Sequence, residues 1–351
     1  MSHDFRAAVA IPTIDSASYI HASLERLRKE IVIAARKRPI DIIVCINGVT
    51  ATGGSDPSVA RVNDFKAENP AIPLYILEVE DRGKNNAINE IVAFAKAQQY
   101  DIIHLIDDDV GFKDGSILLN IEELIFHSAI VSSPVCVGSH FLAVRHDFRH
   151  FYRKKSHRLL PALKSWFAHN VFSVPFRAQS DRPNFCSGAS MCFWTKDVPQ
   201  LPLDETGIAD DVYLSNYYAV TGREWYEKTH TWPVIKPAES IVYFEVTAQF
   251  GEWQRQQLRT CLGVLSGYGP FFPENMPLLE KFREWAYTYH PNSLRKEKLS
   301  TLRAWFFSVI YRFLKRRVAG KARRAMCRHA PVDWGTAIST KLFAKTPGTL
   351  K

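Results

Sequence analysis

Short apolar runs alternate strictly with amphipathic segments through roughly the first 110 residues of the chain. Runs of strand length cover residues 7–14, 40–46, 72–79 and 102–106, and segments of helical periodicity cover residues 17–36, 57–68 and 85–98. Ser16 stands where it would cap the first helix. Strands that alternate with helices pair in parallel, since each helix returns the chain to the same end of the sheet. The pattern therefore predicts an α/β fold with a doubly wound, mostly parallel sheet that binds ligands at the carboxyl ends of its strands.

The fourth predicted strand ends in three consecutive carboxylates, Asp107, Asp108 and Asp109. Three negative charges at one strand end repel one another unless a cation or hydrogen-bond donors lie between them. Carboxylate oxygens are the ligands that Mg²⁺ and Mn²⁺ prefer, so we expect a divalent metal here. A solvated acidic turn is the alternative, because clustered aspartates are common in loops.

A glycine with two cations, Arg82-Gly83-Lys84, stands where the third predicted strand gives way to a helix. The free N–H groups of a helix N-terminus and the two cations favour an anion such as phosphate. An ordinary turn with exposed cations is the alternative. The segment is neither a G-x-G-x-x-G fingerprint nor a P-loop, which argues against a dinucleotide cofactor and a Walker-type ATPase.

The composition is that of a globular protein. Of the 351 residues 46% are hydrophobic, enough for one large core or two modest ones. No run of about 18 apolar residues and no signal-like N-terminus occurs, so we expect a cytosolic protein without a spanning helix. The six cysteines include no C-x-x-C pair and are expected to be reduced thiols.

The net charge of +9 is concentrated in two segments that also carry aromatic residues. Residues 298–332 hold ten Lys or Arg and no acid, and residues 145–182 hold nine against two acids, which leaves −8 for the rest of the chain. We therefore expect an anionic partner at these segments, either lipid head groups or a polyanionic acceptor, and no nucleic acid.

Five short motifs follow one another between about residues 5 and 260. They are Pro12-Thr13 at the end of the first strand, residues 82–89, Asp107–Asp109, Asp210-Asp211 followed by Leu214, and Gln256 with Arg259. In this order they resemble the motifs of the family 2 glycosyltransferases of the GT-A fold, and within that family the synthase-like branch of cellulose, chitin and hyaluronan synthases. The matching elements are the family's strand-ending Pro-Thr, its Gly-Lys-x-x-Ala-x-Asn, its metal-binding Asp-x-Asp, its catalytic-base motif and its Gln-x-x-Arg-Trp signature.

The resemblance implies a role for each matching residue. Asp107 and Asp109 would hold Mg²⁺ or Mn²⁺ on the diphosphate of the donor, Asp211 would take the proton of the acceptor hydroxyl, and Arg259 would neutralise the leaving phosphate. Asp210 would be structural or orient the acceptor, and Asp108 would face the ribose or shape the turn. The implied donor-binding residues are Pro12, Thr13, Asn47, Arg82, Gly83, Lys84, Asn89, Asp107 and Asp108. The implied acceptor-binding residues are Ser187, Gly188, Ala189, Trp253 and Gln256.

Departures from the family pattern limit what is implied. Many relatives carry Asp-Asp-Gly-Ser after the second strand, where this chain has Asn47-Gly48, and the uncharged amide leaves the nucleotide open between UDP and GDP. The Trp of Gln-x-x-Arg-Trp is Thr260. Because the multi-helix membrane channel of the polymerising synthases is absent, we do not expect a processive synthase.

The acceptor-side motifs also have purely structural interpretations. Ser187-Gly188-Ala189 interrupts an apolar run over residues 185–194, which admits a ligand or equally a packed strand with a bulge. Asp210 and Asp211 lie in the first turn of a helix expected to end near residue 220. Capping of the helix dipole is the alternative role for these two carboxylates.

A helix expected over residues 250–265 carries Trp253, Gln256 and Arg259 at spacings of three, so that they share a face. The alternative is a core-facing Trp with an exposed Gln and Arg.

Aromatic and aliphatic residues recur every three or four positions from Leu302 to Leu314, and Lys or Arg fill most of the other face. This composition is typical of a helix lying in a membrane interface, and a helix packed on its own domain is the alternative. Residues 159–167 are a weaker second candidate. We therefore divide the chain into a GT-A catalytic domain, residues 1–272, and a basic amphipathic helical extension, residues 273–351. Within the first, residues 1–110 form the nucleotide-sugar half and residues 111–272 the acceptor half.

Together these features predict an inverting, metal-dependent glycosyltransferase of the hexosyltransferase class, peripheral on the cytoplasmic face of the cell membrane. Its donor would be a UDP- or GDP-sugar and its acceptor a glycan or lipid-linked molecule, in bacterial-type glycan, polysaccharide or glycolipid synthesis. A sugar nucleotidyltransferase would share the sheet and metal but needs a Gly-rich basic loop after the first strand, where this chain has residues 12–16, Pro-Thr-Ile-Asp-Ser. A non-catalytic sugar- or lipid-binding relative would have lost the base or metal acids, all of which are present.

Overall fold

The computed structural model describes residues 5–48, 56–176, 188–203, 209–266, 271–275, 277–280 and 302–327. The strands are β1 (Ala7–Thr13), β2 (Ile40–Asn47), β3 (Leu74–Val79), β4 (Ile102–Ile106), β5 (Gly111–Phe112), β6 (Cys136–Gly138), β7 (His140–Ala143), β8 (Ser190–Trp194), β9 (Val234–Ile235) and β10 (Ile241–Phe244). The helices are α1 (Ile20–Ala35), α2 (Pro57–Glu68), α3 (Lys84–Ala97), α4 (Ser116–Ile130), α5 (Phe148–Lys154), α6 (Leu159–Phe172), α7 (Asp210–Thr221), α8 (Arg223–Thr229), α9 (Phe250–Ser266) and α10 (Leu302–Cys327).

A seven-stranded sheet in the order β3-β2-β1-β4-β8-β6-β9 runs through the centre of the protein. Strands β1 to β4 pair in parallel, and β8 runs antiparallel to both of its neighbours, β4 and β6. A second sheet has the order β5-β10-β7. The α/β class and the doubly wound, mixed sheet predicted from the sequence are therefore confirmed.

Helices cover both faces of the large sheet, which is why β1 is buried at every position. On one face Val9 and Ile11 join a core formed with α1, α2 and α4. On the other face Ala8 and Ala10 pack against α3 and α7. Alternate side chains of a strand point to opposite faces, so a single apolar strand contributes to both cores.

A third core lies between α6, α9 and α10. The ring of Trp253 is stacked on Phe172 with centroids 4.5 Å apart, and Tyr311 meets Trp253 edge-on at 6.1 Å. Phe307 adds an edge-on contact to Trp166. The aromatic stripe predicted on α10 is thus divided, because Phe307 and Tyr311 are buried while Trp305 and Phe313 are exposed. Among the helices described, none is long and apolar enough to cross a membrane.

Most element boundaries agree with the sequence pattern. The helix over 57–68 and the strand over 102–106 have the predicted ends. The cap assigned to Ser16 is wrong, because α1 begins at Ile20 with Tyr19 as its N-cap residue. The Ser16 carbonyl instead accepts the N–H groups of Tyr19 and Ile20, and its own N–H donates to the hydroxyl of Ser58.

Candidate functional site

The candidate site lies where the carboxyl ends of β1, β2 and β4 meet the first residues of α3 and α7. Lys84, the first residue of α3, joins two of these elements. Its Nζ lies 2.7 Å from Asp107 Oδ1, just after β4, and 3.0 Å from Asp210 Oδ2, at the start of α7. Burial alone would lower the pKa of Lys84, but the charges of Asp107 and Asp210 outweigh it and raise the pKa. The ammonium group is therefore a permanent cation between two carboxylates.

Gly188 closes one side of this cluster. A Cβ added to Gly188 would lie 2.7 Å from Lys84 Nζ and 3.3 Å from Asp210 Oδ2. Any side chain at this position would displace the ammonium group, which explains the glycine. Ala189 is buried in the core beside it. Ser187, the third residue of the predicted acceptor motif, lies outside the described residues.

Asp211 is half-buried next to this ion cluster. Burial and the negative charge of Asp210 raise the pKa of Asp211 to about 7, although Lys84 acts in the opposite direction. The N–H of Val212 at the start of α7 also lowers this pKa, but the effect is outweighed. A carboxyl group that exchanges its proton near neutral pH is suited to general-base catalysis.

Asp108 points away from Lys84, into the protein. Its Oδ2 accepts hydrogen bonds from Thr13 Oγ1 at 2.5 Å and from the Tyr19 hydroxyl at 2.9 Å. The Ser23 hydroxyl donates to the backbone carbonyl of Asp108. Two roles were considered for Asp108, facing the ribose and shaping the turn, and these contacts favour the second. They also separate its charge from that of Asp107.

Tyr19 is a site residue that sequence reasoning missed. Burial and the charge of Asp108 raise its pKa, so the phenol stays protonated and donates. The available signal was a tyrosine just before an amphipathic helix, where a buried hydroxyl needs an acceptor. Nothing in the local pattern specified Asp108 as that acceptor, 89 residues further along the chain.

Asp109 interacts electrostatically with Arg26 of α1. Burial lowers the pKa of Arg26, and the negative charge of Asp109 partly restores it. Asp109 also contributes to the raised pKa of Tyr19. The three consecutive aspartates therefore have three different environments.

The donor atoms at the end of β4 fit a divalent cation. Within the described ranges, no three acidic, histidine or cysteine side chains form a complete ligand cluster. Mg²⁺ is usually held by one or two carboxylates, with water and substrate phosphate completing its coordination. Asp107 and Asp109 offer two partly exposed carboxylates at this strand end, and the Asp107 carboxylate also pairs with Lys84.

Asn47 joins two turns of the site. Its Nδ2 donates to the Thr13 carbonyl at 2.9 Å, and its Oδ1 accepts the Gly83 N–H at 3.0 Å. Gly83 has φ +135°, a conformation that favours glycine, and it is the N-cap residue of α3. Asn47 thereby positions the turn that carries Lys84.

Two further residues that were predicted to bind the donor have contacts within the protein. Arg82 forms an exposed ion pair with Asp15 at 3.0 Å, and Pro12 is buried in β1 opposite Cys45. Asn89 was also predicted to bind the donor. Its side-chain amide forms both hydrogen bonds with the backbone of Leu201, at 3.0 and 2.7 Å, so its polar atoms anchor that segment.

The three predicted residues of α9 have different environments. Trp253, predicted to bind the acceptor, has a side chain that is 2% exposed and lies in the third core against Phe172. Gln256 is half-buried and Arg259 is exposed. The core-facing Trp considered as the alternative is what the structure contains.

No protein-family model matches the sequence, and no curated protein matches it. Among solved structures, residues 1–349 of S. aureus TarS are similar at 13% identity and a TM-score of 0.41, covering 92% of each chain. A second structure of S. aureus TarS has 14% identity and a TM-score of 0.40, covering 89% of this chain and 55% of that one. A putative nucleotide-diphospho-sugar transferase from Desulfovibrio desulfuricans G20 has 8% identity and a TM-score of 0.34, covering 79% of this chain and 98% of that one. Similarities this distant assign no function.

Proposed function

We propose that the protein is an inverting glycosyltransferase that moves a sugar from a nucleotide-diphosphate sugar to an acceptor hydroxyl. The observation that carries the proposal is Asp211, a carboxyl group with a pKa of about 7. It lies beside the ion pairs that Lys84 forms with Asp107 and Asp210. The cluster stands at the carboxyl edge of a doubly wound sheet, where such folds bind their ligands.

The nucleotide diphosphate, UDP or GDP, would bind across this edge. The first N–H groups of α3, with Lys84 and the exposed Arg82, offer positive charge for its phosphates. Asp107 and Asp109 would hold Mg²⁺ or Mn²⁺, which supplies charge neutralisation for a diphosphate leaving group. Asn47 maintains the turn at Gly83, and Thr13 and Tyr19 maintain the turn at Asp108.

Transfer would occur by a single displacement with Asp211 as general base. Its carboxylate accepts the proton of the acceptor hydroxyl while that oxygen forms a bond to the anomeric carbon. The bond from the anomeric carbon to the phosphate oxygen breaks at the same time, and its electron pair leaves with the nucleoside diphosphate. Attack from the opposite side inverts the anomeric configuration. Asp210 forms an ion pair with Lys84, and its negative charge helps to raise the pKa of Asp211, which makes Asp211 a stronger base.

Titration calorimetry with UDP- and GDP-sugars, with and without Mn²⁺, tests donor binding. We expect one nucleotide class to bind, with affinity lowered at least tenfold by a chelator. Asp109→Ala should lose most of the metal-dependent affinity, Asp107→Ala less, and Asp64→Ala on the exposed surface of α2 should retain it. Donor affinity that is unchanged in chelator would contradict the metal assignment.

Turnover distinguishes the proposed reaction from its rivals. A glycosyltransferase releases nucleoside diphosphate from a nucleotide sugar in the presence of an acceptor. Release of pyrophosphate from a nucleoside triphosphate and a sugar phosphate would identify a nucleotidyltransferase instead. Donor binding without turnover across a panel of sugar and lipid-linked acceptors would indicate a binding protein.

A further inference from the structure

Two helices of the third core expose large apolar side chains on their outer faces. On α6 these residues recur about every four positions, and Leu160 is 69% exposed. On α10 exposed apolar residues also recur about every four positions, and Phe313 is 58% exposed. The residues that we call the α6–α10 patch are Leu159, Leu160, Leu163, Phe167, Trp305, Phe306, Val309 and Phe313.

The two stripes form one continuous surface. The rings of Phe167 on α6 and Phe306 on α10 meet edge-on with centroids 6.3 Å apart. Below them Phe307 contacts both Phe167 and Trp166, and Tyr311 contacts Trp253. The inner face of α10 therefore anchors the helix to the protein, and the outer aromatic residues are additional to those that the fold requires.

The segments that carry the patch and the helix before it contain only basic charges. Residues 148–172 contain six Lys or Arg and no acid, and residues 302–327 contain eight and no acid. Most of these side chains are exposed, including Lys164, Arg316 and Arg317. Lys315 is an exception, since it is half-buried and its Nζ donates to Gln257 Oε1.

We propose that the α6–α10 patch docks on an anionic lipid surface. The exposed leucine, phenylalanine and tryptophan side chains would enter the boundary between head groups and acyl chains, and the surrounding cations would contact lipid phosphates. A soluble polyanion would use the cations but leave the apolar residues in water. A protein partner would cover the apolar residues but would need a fully acidic rim. The attractions of the individual basic residues to an anionic leaflet add up, so several acting together give stable adsorption.

Co-sedimentation of the full chain with vesicles tests the proposal. We expect binding to vesicles of phosphatidylcholine with phosphatidylglycerol, much weaker binding to phosphatidylcholine alone, and weaker binding to both as salt is raised. Leu160→Ser with Phe313→Ser should lower the vesicle affinity at least tenfold. Phe126→Ser is the matched control, because Phe126 is 61% exposed on α4 and lies outside the patch. Equal loss in the control would overturn the proposal.

A pair of charge variants tests the basic rim. Arg316→Glu with Arg317→Glu should abolish the preference for anionic vesicles, whereas Lys29→Glu with Arg36→Glu, exposed on and just after α1, should retain it. Melting curves show whether each variant is folded.

Light scattering at several protein concentrations tests whether the patch is instead an interface between copies of the chain. If the wild type binds no vesicles but associates with itself, and the patch variant is a monomer, the patch is an interface between copies and lipid docking is wrong.

Discussion

Lys84 is the residue on which the charges of the site depend. Its ammonium group lies between Asp107 and Asp210, and its charge also lowers the pKa of Asp211. Without this cation, three carboxylates would face one another in a partly buried space. A lysine that pairs with two carboxylates and lowers the pKa of a third affects both the fold and the proton chemistry, and the two effects can be measured separately.

We expect the activity of the wild type to rise with pH through about 7, because the base must be deprotonated to accept a proton. In Lys84→Met the midpoint should move to higher pH, since a charge that lowers the pKa of Asp211 has been removed. The pH profile of kcat/KM at saturating metal checks the shift. Lys37→Met is a matched control, because Lys37 pairs with Glu122 on the exposed surface. An unchanged midpoint in Lys84→Met would show that Lys84 does not influence the pKa of the base.

The raised pKa of Asp211 also affects stability. A carboxyl group whose pKa is higher in the folded than in the unfolded state binds its proton more tightly when folded. Its contribution to stability is therefore complete below pH 4 and is lost as the pH rises through about 7. Asp211→Asn should melt several degrees above the wild type at pH 8, with a smaller difference at pH 5. Thermal melts at the two pH values measure this, and a variant that is less stable at pH 8 would contradict the burial of the charge.

The sequence indicated which residue types would gather at the site but not the contacts that they make. Three carboxylates after a buried strand specify an acidic edge, and the alternation of a strand already separates Asp107 from Asp108. Which partner each carboxylate finds depends on residues far away in the chain, such as Tyr19 and Lys84. Asn89 shows the same limit, because its motif position suggested a ligand contact while the fold uses its amide for Leu201.

At the scale of elements, close packing matters at two places, the turn before β8 and the inner face of α10. The turn before β8 passes against Lys84 at Gly188, and α10 is held by the inner half of its aromatic residues. The periodicity of α10 predicted a long apolar stripe correctly. It could not show that Phe307 and Tyr311 would be covered while Phe313 would not, because that depends on where α6 and α9 lie.

Gly188→Ala should lower activity about tenfold or more while changing the melting temperature little. The added Cβ would meet the far end of a flexible lysine at 2.7 Å, so the lysine can move aside but leaves its position between the carboxylates. Steady-state kinetics and a thermal melt measure the two effects. Gly251→Ala in α9 is the control, since no atom lies within 4 Å of its added Cβ. Equal activity in both variants would show that the position of Lys84 is unimportant.

Phe307→Ala should destabilise the protein by about 3–5 kcal/mol, because it leaves a cavity between α6 and α10. Phe313→Ala on the same helix should cost less than about 0.5 kcal/mol, because its ring is exposed. Denaturant unfolding of both variants gives the comparison. Similar losses would mean that α10 does not pack on the protein by its inner face.

At the scale of the whole molecule, the alternating pattern was sufficient to predict the fold. Each apolar run or amphipathic period is a local signal, and the parallel order of β1 to β4 follows from the connections. Predicting the third core required knowledge of how residues 148–172 and 302–327 meet. Through Trp253 and Tyr311 the extension shares a core with the acceptor half, so the predicted boundary near residue 272 separates segments that pack together.

Three properties of the molecule converge on one edge of the sheet. A doubly wound sheet presents its strand ends there, α3 and α7 begin there, and Asp211 acquires a pKa near neutrality there. The α6–α10 patch lies on the outer faces of two helices of the third core and uses different residues. We therefore expect substitutions to remove the proposed catalysis and the proposed docking independently.

The central claim is that Asp211 is the base for sugar transfer, and Asp211→Asn tests it most directly. Release of nucleoside diphosphate with a working donor and acceptor should fall by roughly 10²–10⁴, while calorimetry gives an unchanged donor affinity, since the base acts on the acceptor. Asp210→Asn should cost less turnover, and its loss should be accompanied by a shifted pH profile. If Asp211→Asn retains turnover, or loses donor binding to the same extent as turnover, Asp211 is not the base and the proposed mechanism is wrong.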